Sequence, residues 1–250
     1  MYATGQTAVG LVRSHNEDVI YYSIDPVGSL PNLFIVADGM GGHNAGEVAS
    51  AKSLEYSHEF IANTYGHPAN IDGILDILVT SAHHANKNVY ELAASTPEYL
   101  GMGTTFTACS IIGDKMAIAH IGDSRIYTIN KTGITQISTD HTYVNELVKA
   151  GKIPPEDAHG HPQGNVLTRV LGCDPHTKAD GSIHSLSDVQ SVLLCSDGLT
   201  DMLPDDAIFD IVNKQASPED ITNALIDAAN AQGGRDNISV IIINVKGEVN

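Results

Sequence analysis

Two residues, Gly113-Asp114, separate the apolar, β-branched runs Thr104–Ile112 and Lys115–Ile121. So short a connection reads as a hairpin turn, which makes the pairing antiparallel, because a parallel pair needs a crossover of a dozen residues or more. Further runs of the same kind at Val19–Ile24, Leu33–Ala37, Arg125–Asn130, Gln190–Cys195 and Ile238–Val245 read as strands. Helices come in pairs rather than between successive strands. Ile71, Ile74, Leu78, Ala82, Ala85, Val89 and Leu92 recur at spacings of three and four, and Val48, Ala51, Leu54 and Ile61 do much the same. A third helix is punctuated by Ser217-Pro218-Glu219-Asp220, an N-cap, a proline at the first helical position and two acids, with Gly233 as its stop. This is not the strict strand-helix alternation of a doubly wound sheet, and a layered antiparallel α/β sandwich is expected.

No repeat, low-complexity tract or linker divides the chain, so residues 1–250 are expected to form one domain. The segment His141–Thr168 stands apart, with a short helix pattern (Val144, Leu147, Val148, then Gly151), Pro154-Pro155 and His159-Gly-His161-Pro162. It reads as a surface excursion beside a site, the alternative being an insertion with no role. Asp72-Gly73 and Asp180-Gly181 read as plain turns.

Charge narrows the partners. Lys and Arg total 13 against 30 Asp and Glu, a formal net charge of −17, which argues against sequence-independent nucleic-acid binding and against anionic membrane surfaces. The N-terminus lacks a basic region followed by an apolar run, and no apolar run approaches the ~18–20 residues of a membrane span. Cys109, Cys173 and Cys195 include no C-x-x-C pair, and Cys109 and Cys195 sit inside apolar runs, as expected of reduced thiols in a cytoplasmic protein.

Four aspartates share one context. Asp38, Asp123, Asp197 and Asp236 each stand at an end of a strongly apolar strand. Sheet geometry can bring such ends to one edge, where unpaired carboxylates repel one another. A hard divalent cation relieves that repulsion, and an all-oxygen set selects Mg²⁺ or Mn²⁺ over zinc. Arg13 precedes Ser14-His-Asn-Glu17-Asp18, whose acids could reach the same cluster. Oxygen-ligated metals beside a guanidinium suit a phosphate monoester.

Six ordered segments carry a family resemblance. Arg13-Ser-His-Asn-Glu-Asp18, Phe34-Ile-Val-Ala-Asp-Gly-Met-Gly-Gly-His43, Gly101-Met-Gly-Thr-Thr105, His120-Ile-Gly-Asp-Ser-Arg125, Leu194-Cys-Ser-Asp-Gly-Leu199 and Gly234-Arg-Asp-Asn237 resemble the metal-dependent protein phosphatases, the type 2C or PPM family, in particular its compact bacterial serine/threonine phosphatases. The resemblance spans Gly5 to Val245. It implies a four-layer α-β-β-α sandwich of two antiparallel sheets flanked by helix pairs, with a flap subdomain over 141–168 and a binuclear Mn²⁺ or Mg²⁺ centre. Carried over by position, Asp38 bridges two metals, the Gly39 carbonyl binds one, and Asp197 and Asp236 complete the set. Asp18 matches a position holding metal-bound waters, Asp123 with Asp197 a third, weaker metal site, and Arg13 the phosphate clamp.

The activity so implied is hydrolysis of phosphoserine and phosphothreonine in proteins by a metal-activated water, in line and without a covalent intermediate, opposing a bacterial Ser/Thr kinase. Phosphorylated proteins and a cognate kinase are then the partners, with no nucleic acid or membrane, and a monomer is expected. Where eukaryotic relatives place a histidine after the Asp-Gly pair, this chain has Met40. His43 is the nearest substitute as general acid, its alternatives being a helix cap near Gly46 or a proton from metal-bound water. His161 in the flap is a candidate substrate contact. A catalytically silent phosphoprotein-binding relative and a phosphatase of small phosphate esters are the competing functions, and the intact set Arg13, Asp38, Asp197 and Asp236 speaks against the silent one.

Overall fold

The computed structural model describes all residues except 42–44, 67, 69, 159, 160, 215, 216 and 247–250. Among the described residues the strands are β1 (Tyr2–Ala8), β2 (Asp18–Ser23), β3 (Leu33–Met40), β4 (Gly103–Thr104), β5 (Phe106–Ile112), β6 (Lys115–Ile121), β7 (Arg125–Ile129), β8 (Ile134–Gln136), β9 (Asp180–Ser185), β10 (Ser191–Cys195) and β11 (Ile238–Asn244). The α-helices are α1 (Ala45–Ala62), α2 (Ile71–Ser95), α3 (Tyr143–Lys149), α4 (Asp197–Thr200), α5 (Asp205–Val212) and α6 (Pro218–Ala231). One sheet runs β1-β11-β10-β7-β8 and the other β2-β3-β5-β6-β9, with β4 beside β3, and the pairings are antiparallel.

The central strands are apolar on both faces because both faces are covered. In β3, Leu33 and Ile35 pack towards α1 and α2, while Phe34 and Val36 enter the layer between the sheets. In β10, Val192 and Leu194 face that inter-sheet layer and Leu193 and Cys195 face α5 and α6. The period of two therefore sorts each strand between two cores, and three apolar layers separate four layers of structure. The expected α-β-β-α sandwich is the observed one.

The hairpin forms as expected, with Ile112 opposite Lys115, and Ser217 caps α6 by accepting from the Asp220 N–H at 3.1 Å. Other expectations need correction. Asp180-Gly181 is no turn: it opens edge strand β9, with Asp180 opposite His120. Asp72-Gly73 lies in the first turn of α2, where the Asn70 side chain accepts from the Gly73 N–H at 3.0 Å. The run Thr104–Ile112 breaks at Thr105, whose N–H turns aside to the Asp38 carbonyl at 2.8 Å. Cys109 and Cys195 are buried, but Cys173 is exposed, and all three are free thiols. No described helix is long and apolar enough to cross a membrane.

Segment 141–168 is anchored deeper than its polarity suggests. His141, Thr142 and Val144 are buried. The His141 N–H donates to the Gly122 carbonyl at 2.8 Å, and its own carbonyl accepts from the Thr168 N–H at 2.8 Å, so one residue ties both ends of the segment to the end of β6. The His141 Nδ1 also accepts from the Gly122 N–H at 3.0 Å, and its Nε2 pairs with Asp180 at 3.1 Å.

Candidate active site

Antiparallel pairing gathers the acids. Asp18 opens β2 directly opposite Asp38 near the end of β3. β6 runs the same way as β3, with β5 between them, so Asp123 after Ile121 leaves the sheet at the same edge. In the other sheet Asp197 follows β10 and Asp236 precedes β11, its antiparallel neighbour. Both sheets thus present carboxylates at one end.

The two edges are joined by hydrogen bonds that sequence reading missed. The Ser196 hydroxyl donates to Asp18 Oδ2 at 2.8 Å and accepts from the Ser239 N–H at 2.9 Å, binding β2 of one sheet to β10 and β11 of the other. Asn237 holds the 9–17 loop: its Nδ2 donates to the carbonyls of Val9 and His15, each at 2.9 Å, and its Oδ1 accepts from the Glu17 N–H at 2.8 Å. That loop carries Arg13, whose Nη2 donates to Asp236 Oδ2 at 2.7 Å. Thr105 accepts from the Asp38 N–H at 2.9 Å and bonds Ser124 at 2.7 Å. Ser196, Asn237, Thr105 and Ser124 all lie in the segments that carry the resemblance, and Ser196 and Asn237 each flank an aspartate of the set, but neither signal says which group each one bonds.

Gly39 matters for space. A Cβ there would stand 2.1 Å from the Gly46 carbonyl oxygen and 2.7 Å from that of Glu17. Only glycine lets β3 pass so close to the start of α1.

Electrostatically the edge is strained. Burial, then the charges of Asp18, Asp197 and Asp123, hold the Asp38 carboxyl well above the usual range. Burial, then Asp123, Asp201 and Asp236, does the same to Asp197. Burial pushes Asp18 up to about 6, and burial followed by the charge of Asp140 pushes Asp123 up to about 7. Asp201 and Asp140 are thus additional acids of the edge that the sequence did not single out. Asp18 Oδ1 and Asp197 Oδ1 are buried with no hydrogen-bond partner. Orphaned buried anionic oxygens are costly, and with like-charged neighbours they define a place for a cation. The donors are all oxygen, which fits Mn²⁺ or Mg²⁺. Among the described residues no three Asp, Glu, His or Cys side chains are already gathered round a point that could hold an ion.

Two expected residues stand differently. His43 lies outside the described residues. The His161 ring accepts from the Gln163 N–H at 3.1 Å, within its own turn. Cys195, beside the acids in sequence, is buried and pushed up to about 12 by that burial, which suits packing and not nucleophilic attack.

Comparison with known proteins agrees with this fold. The family model described as protein phosphatase 2C matches residues 12–232. Protein phosphatase PhpP of Streptococcus pneumoniae is 36% identical over 245 residues, covering 97% of this chain and 96% of that protein. The crystal structure of serine/threonine phosphatase Stp1 from Staphylococcus aureus superposes with a TM-score of 0.91 at 34% identity, covering 98% of this chain and 95% of that one. The catalytic domain of the serine threonine protein phosphatase PstP, solved in complex with 2 manganese ions, gives a TM-score of 0.81 at 32% identity, covering 97% of each chain. With fold and sequence in agreement over nearly its whole length, this chain belongs to the protein phosphatase 2C family.

Proposed function

We propose that the chain hydrolyses phosphoserine and phosphothreonine in proteins at the acidic edge, using two Mn²⁺ or Mg²⁺ ions, and that it opposes a bacterial Ser/Thr kinase. The observation that carries this reading is the convergence of Asp18, Asp38, Asp197 and Asp236 from both sheets with two buried oxygens left unpartnered. Asp38, the Gly39 carbonyl, Asp197 and Asp236 are the residues that would hold the ions, Asp18 would hold water beside them, and Asp123 with Asp197 would hold a third. When bound, the ions supply charge to offset the carboxylates, activation of water as nucleophile and neutralisation of the phosphoryl oxygens.

The chain's own residues do the rest. Arg13 is half exposed, so its guanidinium, aimed by Asp236, still has free N–H groups for phosphoryl oxygens. Asn237 sets the position of Arg13 through the loop, and Ser196 keeps the two carboxylate edges in register. The segment 141–168, pinned at its base by His141, serves as a flap beside substrate, and His161 is its candidate contact. Met40 offers no proton to the departing serine or threonine oxygen, which leaves His43 or water as the source.

The test is phosphate release from a phosphothreonine peptide with Mn²⁺, with chelator, and in Asp38→Ala. Turnover that survives both chelation and the substitution overturns the assignment.

A further inference from the structure

Leu11 and Val12 are aliphatic, yet they are 68% and 69% exposed. They are not on a loose loop. The Leu11 N–H donates to the Gly234 carbonyl at 2.7 Å and the Val12 N–H to the same oxygen at 3.3 Å. Gly10 has a φ of +80°, and a Cβ there would stand 2.2 Å from the Asp236 carbonyl oxygen, so the backbone lies flat on the segment that bears Asp236. The Asn237 side chain clamps the loop on both sides, at Val9 and at His15. Arg13 follows immediately.

Because the backbone of this pair is already ordered, covering it costs little further backbone entropy and gains roughly 25 cal/mol for each Å² of apolar surface buried. Its place says what covers it. A phosphoryl group held by Arg13 brings the peptide around its phosphoresidue within a side chain's reach of Leu11 and Val12. Charge points the same way: the protein carries −17, and Asp236, Glu17 and Asp38 all act on Arg13, so acidic flanking residues are repelled and apolar ones are not.

We propose that Leu11 and Val12 form a subsite for an apolar side chain flanking the phosphoserine or phosphothreonine of the substrate, making them specificity-determining residues. The inference rests on the phosphatase reading and on Arg13 as the phosphate clamp.

The experiment compares two phosphothreonine peptides with Mn²⁺, identical except that the residues flanking the phosphothreonine are Leu in one and Ser in the other. The wild type is expected to favour the Leu peptide by roughly fivefold or more in kcat/KM, carried by KM, somewhat below the roughly tenfold that a methylene confers in an enclosed pocket because this surface is open. In Leu11→Ser/Val12→Ser that ratio should fall to about 1, because the contact that distinguishes the peptides is gone. The single variants, each at an exposed position, repeat the measurement should the double variant melt early. Equal rates for both peptides in the wild type, or an undiminished preference in the variants, overturn the subsite. Release from neither peptide overturns the phosphatase reading and the subsite with it.

Discussion

Asp18 and Asp38 face each other directly across the β2–β3 pairing. Like charges in that position destabilise a sheet, and here both carboxyls are also held above their usual range, chiefly by burial. The fold tolerates the arrangement as a deficit that a cation corrects. Because a ligand that binds only the folded state stabilises it by mass action, Mn²⁺ at about a hundredfold excess over its Kd should add about 2.7 kcal/mol, or roughly 5–10 °C in Tm.

The size of that increment should depend on pH. Asp18 sits at about 6 and Asp123 at about 7 in the folded chain, against an ordinary 3.8. A raised acid is protonated in both states below about pH 4, where it contributes nothing. Between there and about pH 7 the unfolded chain sheds its protons first, so the metal-free protein loses stability as pH rises. Metal and protons compete for the same oxygens, so the Mn²⁺ increment should grow across this window. Thermal melts with and without Mn²⁺ from about pH 5 to about pH 7.5 check it; an increment that shrinks as pH rises would contradict the protonation argument.

Arg13 should separate function from stability. It is half exposed and makes one ion pair, which in solvent is worth little. Arg13→Ala is therefore expected to leave Tm within about 1 °C while lowering kcat/KM by roughly a hundredfold, the scale of losing one charge-stabilising donor. Arg13→Lys should fall between, keeping the charge and losing the planar fork. A large drop in Tm for Arg13→Ala would recast the residue as structural.

The sequence was legible where order is local. The Gly113-Asp114 hairpin, the cap at Ser217 and the long face of α2 each depend on residues within a few positions of one another. Edge strands were not: β1 is Tyr-Ala-Thr-Gly-Gln-Thr-Ala, paired among the described residues only with β11, half exposed and lacking a sustained apolar side. Asp180-Gly181 misled because a turn dipeptide can also start an edge strand once an ion pair to Arg169 and a hydrogen bond from His141 hold it. In the candidate site the aspartates could be read one by one from strand ends, but Ser196 to Asp18 spans 178 residues and Asn237 to Glu17 spans 220. No local pattern encodes such pairs.

Those long-range bonds make their own prediction. Ser196→Ala leaves Asp18 Oδ2 and the Ser239 N–H without this hydroxyl, each buried, and an unmet buried group costs about 1–3 kcal/mol. A fall of roughly 5–10 °C in Tm is expected, with weaker Mn²⁺ binding by calorimetry. Asn237→Ala frees the loop that aims Arg13, so its loss in kcat/KM should overlap with that of Arg13→Ala, and the double variant should be little worse than the worse single one. Fully additive losses would show that Asn237 acts elsewhere.

Asp38→Asn puts the stability and the activity of the edge in opposition. The carboxamide keeps the shape of the side chain and removes one of the charges that Asp18, Asp197 and Asp123 oppose. Near neutral pH the metal-free variant no longer has to bury an ionisable carboxyl among Asp18, Asp197 and Asp123, so it should melt several degrees above the metal-free wild type, corresponding to an order of 1–3 kcal/mol. The same change removes the anion proposed to be shared by two cations, so the Mn²⁺ increment in Tm should largely vanish and phosphate release should fall by about a hundredfold or more. Melts of both proteins with and without Mn²⁺, run beside a phosphothreonine-peptide assay, give all the quantities at once. If Asp38→Asn lowers the metal-free Tm, the carboxylate is a structural element of β3; if it raises Tm but keeps the Mn²⁺ increment, the ions are held without it. The combination of a more stable apo protein and a lost metal response is the outcome that the crowding of this edge requires.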